Sequence, residues 1–439
     1  MNNSRLFKKS LLAVTITTAT LASQQAMAAG FQLNAQSATG IGRAFAGDAV
    51  IADNASVMAR NAAAMALFDK TEFSLGFESI TSMIEVKDAT YCGPTCQVTN
   101  GAMGATNASY DDAGDTSIAP NIHLIVPVND NFAWGINAYT NFGTKTEFED
   151  AYAGYEYGGT TDVKSMNIGL AGSFRVDEHW SFGAGLDLIY GKGELKRSFS
   201  PEIAGALGTS EALDVDADGW ALGFNLGTVY ELNENNRFGL AYHYSPKLEA
   251  KGDISYAGYT GANGAIEDTL YMPLPDILEF SGFHKLENTK FAVHYSVQYI
   301  GWSSFDKLEA KESGTLNHYE WQNGMHYAIG GTYYLNQDWT LRAGYMYDTS
   351  AQDELTSISV PDSDRQWFST GFTYHLDAKS NIDFGFTYLM GDDVEVNESK
   401  ANPFFGTPHP TGTAENISSV SGTTRADAIL LGLQYSRSF

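Results

Sequence analysis

The chain has 439 residues but only two cysteines and 11 prolines. Basic residues are also scarce: 26 Lys and Arg stand against 52 Asp and Glu. A surface so acidic repels a phosphate backbone, which excludes nucleic acid as a natural partner. Beyond the first thirty or so residues no apolar run reaches the length a spanning helix needs, so any membrane insertion must be by strands. The cysteines, Cys92 and Cys96, stand in YCGPTCQ. A metal site would need further His or Cys ligands beside them. The nearest histidine, His123, lies within a predicted strand, so no metal and no cofactor is expected.

What is abundant is glycine and aromatic side chains: 44 Gly, 24 Tyr and 25 Phe. With modest overall hydrophobicity, this is the composition of a barrel whose strands face lipid on one side and water or a plug on the other. The first residues read as a secretory signal. Arg5, Lys8 and Lys9 form a positive region, Leu11 to Ala22 a short apolar one, and Ala26-Met27-Ala28 an A-x-A cleavage site. The signal spans 1–28 and carries three basic and no acidic residues, which leaves the remainder at a net charge of −29. Export puts the two cysteines in an oxidising environment, where a Cys92–Cys96 loop disulfide is expected.

From about residue 71 the chain alternates apolar with small or polar residues. Trp180, Phe182, Ala184, Leu186, Leu188 and Tyr190 share one face, and Ser181, Gly183, Gly185, Asp187 and Gly191 the other. Ile382 to Met390 and Ile429 to Phe439 repeat the pattern. About fourteen such strands can be counted, an even number as bacterial barrels require. Trp134, Trp180, Trp220, Trp339 and Trp367 fall near strand ends, as interfacial girdles would place them. Short polar links such as Asn129–Asn131, Asp177–His179 and Asn336–Asp338 alternate with long ones: Lys87–Thr116, Thr146–Asp162, Ser198–Ala217, Gly252–Leu270, Lys311–Gly324, Thr349–Asp364 and Glu395–Ala426. The expected fold is all-β, a 14-stranded antiparallel transmembrane barrel over 70–439. The preceding segment, 29–69, is rich in Gly, Ala, Ser and Asn. It is too apolar for a solvated linker and reads as a plug, or hatch, in the lumen.

Counting by twos along the fifth strand carries Arg197 to the lumen side. From the residues alone it is either a loop arginine paired with an acid or a lumen group that receives a ligand. Asp214-Val215-Asp216-Ala217-Asp218-Gly219 begins like an EF-hand calcium loop, but the twelfth position is Asn225 and a strand begins at Trp220. A helix–loop–helix site is excluded and only a loop calcium site is left open. The nine histidines are scattered and no G-x-S-x-G occurs, which argues against a barrel lipase.

The runs GFQLN, GIGRAFAG, IADNAS and ARNAAAMALF resemble the N-terminal hatch of the FadL family, outer-membrane transporters of long-chain fatty acids. The likeness extends to the last residue. It departs at Asn61-Ala62-Ala63, where the family has Asn-Pro-Ala. The resemblance implies that Arg197 holds a fatty-acid carboxylate, which two parallel N–H donors suit. It implies a nearby hydroxyl at Thr140, although Thr140 shares a face with Phe132, Trp134 and Ile136; only a kinked strand would reconcile the two. The family has such a kink, at the place of Asn141-Phe142-Gly143, opening a gap in the wall. The family's second cation, a Lys before the tenth strand, is missing; Asn317 or His318 stands there.

The mechanism this implies is capture in the external loops Ser198–Ala217 and Gly252–Leu270, then binding near Arg197. Movement of the hatch, which carries Asn61 and whose Phe31 lines the pocket, follows, with release past Asn141 and Gly143. The alternative within the family is a channel for aromatic hydrocarbons. Expected partners are long-chain fatty acids, outer-membrane lipid and lipopolysaccharide, and the barrel-assembly machinery, through a C-terminal signal of Tyr435 and Phe439.

Overall fold

The computed structural model describes residues 30–34, 36–257, 264–408 and 412–439. The expected signal, 1–28, and part of the link Gly252–Leu270 lie outside the described residues. Fourteen antiparallel strands close into a barrel. They are β1 (Glu72–Cys92), β2 (Thr116–Pro127), β3 (Phe132–Tyr139, then Gly143–Glu147), β4 (Thr160–Arg175), β5 (Trp180–Ser198), β6 (Glu211–Asn233) and β7 (Asn236–Tyr244, then Lys247–Tyr256). They continue as β8 (Ile266–Pro273, then Ile277–Lys285), β9 (Phe291–Ile300, then Lys307–Ala310), β10 (Gly314–His318, then Gly324–Tyr334), β11 (Trp339–Asp348), β12 (Arg365–His375), β13 (Ser380–Gly391, then Val394–Ala401) and β14 (Asn416–Ser438). Closure is made by β1 on β14, in register from Glu72↔Ser438 to Cys92↔Ser419 with one bulge after Lys87. No described helix is long and apolar enough to cross a membrane.

Five of the six short turns share one device. The side chains of Asn129, Asp177, Asn233, Asn336 and Asp377 each accept a hydrogen bond from the backbone N–H two residues on. Asx residues reverse the chain this way without left-handed backbone. The outward faces of the strands are apolar: Phe182, Leu186, Leu222, Leu226, Leu431 and Leu433 are exposed along the wall. Trp180 lies against Tyr230, Trp339 against Tyr374 and Tyr190 against Trp220. Trp367 departs from the expected girdle. It points inward, is buried, and meets Phe45 edge-on at 5.8 Å.

Three links read as loops hold regular structure. The first strand runs to Cys92, six residues past its expected end, and Pro94–Val98 is a short helix. Cys92 and Cys96 are disulfide-bonded. The sixth strand begins at Glu211, so Asp214, Asp216 and Asp218 lie within a strand, cross-paired with Lys196, Glu194 and Lys192. This removes the loop a calcium ion would need, and no cluster of three metal-ligating side chains occurs among the described residues. The third correction is Val394–Ala401, an upper continuation of β13 paired to β14.

Residues 36–50 and 53–65 are almost wholly buried inside the wall, with little regular structure beyond short turns of helix at Ala38–Ile41, Ala55–Ala59 and Ala62–Leu67. Backbone groups left unpaired there need other partners. The wall supplies them. Ser74 accepts from the Ala55 N–H, Ser281 from Ala49, Ser296 from Gly47 and Gln434 from Ala38, while Thr387 donates to the Ile41 carbonyl. Arg60–Glu279 at 2.6 Å and Arg342–Asp53 at 3.2 Å add ion pairs between segment and wall.

Candidate ligand-binding site

Arg197 occupies the next-to-last position of β5, opposite Leu213 of β6. The strand reaches it without a bulge; the irregularity falls one step later. The side chain is therefore inward and buried. Outward positions of the same strand change from Leu188 to Lys192, Glu194 and Lys196, so Arg197 stands above the apolar belt on the long-loop side. Its guanidinium donates to the carbonyls of Thr160 and Lys196 and, at 2.7 Å, to the Thr161 hydroxyl. No carboxylate lies within 4 Å of it among the described residues. Gly159, at φ +51°, leaves the room it needs: an added Cβ there would lie 2.0 Å from the Lys196 carbonyl oxygen and 2.8 Å from Cδ of Arg197.

Around Arg197 is a pocket walled by Leu195, Phe199, Leu308, Leu316, Tyr256 and Tyr319, with the amide of Asn317. Its volume is about 60 Å³, room for a head group but not for a whole acyl chain unless side chains give way. Three further charged residues line it: Glu156, Glu398 and Lys400. Burial pushes both glutamates above the usual carboxylate range, and Lys400 opposes this for each. Glu156 accepts from the Tyr91 hydroxyl at 2.8 Å, and Glu398 from the Ile358 N–H at 2.8 Å.

Phe31 lies next to this pocket rather than in its wall. It packs edge-on against Trp302 at 4.6 Å and Phe305 at 5.3 Å, and against Trp321 at 5.6 Å and Phe142 at 6.4 Å. These partners come from the interruptions of β9, β10 and β3, where broken pairing lets large rings turn inward. Phe305 also meets Tyr319 at 4.9 Å, which lines the Arg197 pocket. Rings thus run continuously from the pocket through Phe31 to the break in β3.

At that break β3 stops at Tyr139 and resumes at Gly143. Thr140 and Phe142 are both buried, so the alternation that would send Thr140 to lipid ends there. Thr140 is not among the residues that line the Arg197 pocket; the break separates it from the head-group site expected of it. The N-terminal segment fills the break: the Leu33 N–H donates to Asn141 at 2.6 Å and the Gly143 N–H to Phe31 at 2.8 Å, with Gln32 opposite Phe142. Asn61 ties the far part of the segment to the wall. Its amide donates to the Ala49 and Thr228 carbonyls at 2.8 and 3.1 Å, and its Oδ1 accepts from the Ala63 N–H. A Cβ on Gly227 would lie 1.9 Å from that Oδ1.

Lys400 and Glu398 lie in a stretch, 395–426, whose length and polarity suggest a loop, although part of it is strand. The signal was present: Val394, Val396, Glu398 and Lys400 alternate with Glu395, Asn397 and Ser399, and Val396 is buried. Asn317 does line the pocket, whereas His318 is exposed.

A family model described as "Outer membrane protein transport protein (OMPP1/FadL/TodX)" matches residues 19–439. The chain belongs to this family. Long-chain fatty acid transport protein of Escherichia coli (strain K12) is 35% identical over 441 residues, covering 91% of this chain and 95% of the relative. Outer membrane protein P1 of Haemophilus influenzae is 36% identical over 472 residues, 99% of each chain. Among solved structures, a Pseudomonas aeruginosa FadL homologue superposes with a TM-score of 0.79 at 21% identity, covering 94% of this chain and 100% of that one. The Pseudomonas putida toluene transporter TodX gives 0.63 at 19% identity, with 94% and 100% covered. This family member is an outer-membrane transport protein whose wall is the closed strand barrel.

Proposed function

We propose that this barrel imports long-chain fatty acids across the outer membrane, with no energy source of its own. The carrying observation is Arg197: a buried guanidinium without an ion pair, in the lining of a pocket whose wall is partly apolar. A carboxylate meets its planar donors in pairs. The acyl chain gains roughly 0.8 kcal/mol for each buried CH₂, so about 10 kcal/mol or more is available from an apolar path. The continuous rings from Tyr319 through Phe305 and Phe31 to Phe142 give that path a direction. In this reading the ligand is captured at the external loops, bound by Arg197, and released past Asn141 and Gly143 when the N-terminal segment acts as a hatch and withdraws Phe31. Asn61 holds the rest of the hatch to the wall. Thr140 acts at the gap and not on the head group. No covalent step is involved, so the chain is not an enzyme. The relative named as a long-chain fatty acid transport protein, at 35% identity, supports this reading.

Arg197→Ala should weaken oleate binding by about 1.5–3 kcal/mol, the range for a hydrogen bond to a charged group. Oleyl alcohol binding should change much less, as read by titration calorimetry on detergent-purified protein. Equal losses for acid and alcohol would remove the carboxylate role. No loss for either, with toluene bound, would favour the second reading, an aromatic-hydrocarbon channel, to which the ring cluster at Phe31 is also suited.

A further inference from the structure

The Arg197 pocket holds a second cation, from a strand far away in sequence. Lys400 lies near the end of the upper part of β13 and lines the same pocket. Its ammonium sits 5.2 Å from the centre of the Tyr157 ring, and no carboxylate lies within 4 Å of it among the described residues. Burial lowers the pKa of Lys400; the charges of Glu156 and Glu398 oppose this and the charge of Arg197 adds to it, so both cations share the pocket with the two acids. Like charges brought together in a partly desolvated space are costly unless an anion enters between them.

The two acids of the pocket do not supply that anion at close range. Glu398 is taken up by the Ile358 N–H and, at 3.4 Å, by the Ser357 hydroxyl; Glu156 is taken up by Tyr91. Burial raises the pKa of both acids, and neither forms an ion pair within 4 Å of Lys400 or Arg197. Part of the surrounding wall is apolar, Leu195, Leu308, Leu316 and Phe199, beside the polar Asn317 and Ser359. Two cations in a partly apolar pocket suit an amphipathic anion with a small, delocalised head.

We propose that Lys400 is a second head-group residue, which takes one carboxylate oxygen while Arg197 takes the other. This rests on the fatty-acid reading above and extends it to a residue on β13. It makes the pocket a place where a residue of β5 and a residue of the upper part of β13 act on one ligand.

Lys400→Met keeps the length and apolar stem of the side chain, and so its cover over Tyr157, while removing the charge. On the full chain in detergent, Lys400→Met should weaken oleate at least tenfold and leave oleyl alcohol within about twofold. Lys400→Arg should restore oleate to within about threefold. Slower migration on gels after boiling than before would establish that each variant is folded. Should Lys400→Met misfold, Lys400→Arg beside wild type at rising salt gives the readout. Oleate affinity that falls with salt in both, while alcohol affinity does not, supports the assignment; oleate affinity indifferent to salt overturns it. Equal losses of acid and alcohol in Lys400→Met would reduce Lys400 to a packing role and overturn the proposal. So would an unchanged oleate affinity. If Arg197→Ala discriminates acid from alcohol and Lys400→Met does not, only the role of Lys400 fails. If neither variant discriminates, the fatty-acid reading fails with it.

Discussion

At the scale of single residues, the pocket shows how burial sets charge. Glu398 feels Lys400 and Arg197, yet burial outweighs both and raises its pKa above the ordinary glutamate value of 4.5. The folded protein therefore holds a proton that the unfolded chain has released. Between 4.5 and the raised value the folded state binds more protons, so stability is highest at the acid end of this window and falls as pH rises through it. Glu398→Gln keeps an acceptor for the Ile358 N–H and removes the titration. Thermal unfolding followed by tryptophan fluorescence from pH 5 to pH 8 should show a shallower loss of stability in Glu398→Gln than in wild type. An identical slope would show that Glu398 ionises freely in the folded state.

At the scale of elements, the interruptions matter more than the strands. The breaks in β3, β9 and β10 turn Phe142, Trp302, Phe305 and Trp321 inward to receive Phe31. The N-terminal segment completes the broken β3 as an extra antiparallel bridge. The donors flank Gln32 and Phe142, which makes these two a non-hydrogen-bonded pair, with Cα atoms about 4.5 Å apart in general. That separation suits a disulfide. Gln32→Cys with Phe142→Cys should therefore link segment to wall under oxidation. Oleate uptake by cells carrying the double variant should be lost when oxidised and return on reduction, while oleate binding to purified protein persists. Uptake that survives a verified crosslink would exclude withdrawal of Phe31 as the gate.

At the scale of the whole molecule, closure of the sheet leaves no free edge, so unfolding must open a ring of paired strands at once. The unheated protein should migrate faster on gels than the boiled one and show a β-rich circular dichroism spectrum. Reduction of Cys92–Cys96 should leave both properties unchanged. The bond spans four residues at the top of β1, beyond the apolar belt, and closes too short a loop to restrain the unfolded chain much. Loss of the fast-migrating band on reduction alone would give the disulfide a larger part in stability than this.

Much of this was legible from the sequence. Alternation is a local property of strands, so the inward and outward faces, the strand count and the inward direction of Arg197 could be read directly. The short turns were legible for the same reason, since an Asn or Asp reverses the chain through its own neighbours. Family motifs in 29–69 carried the rest. What stayed hidden was whatever depended on distant segments meeting. Trp367 looked like a girdle residue until Phe45 covered it from within. Thr140 read as outward because parity cannot see a break that the N-terminal segment repairs. Asp214 to Gly219 looked like a loop because a strand rising above the membrane may be charged on its outer face and still pair. Lys400 stands 203 residues after Arg197 in the numbering, and no spacing rule links the two. The sequence by itself determined which way side chains point along an unbroken strand. Which side chains then share a pocket was decided by barrel closure, because register across fourteen strands is set by pairings that no local pattern contains.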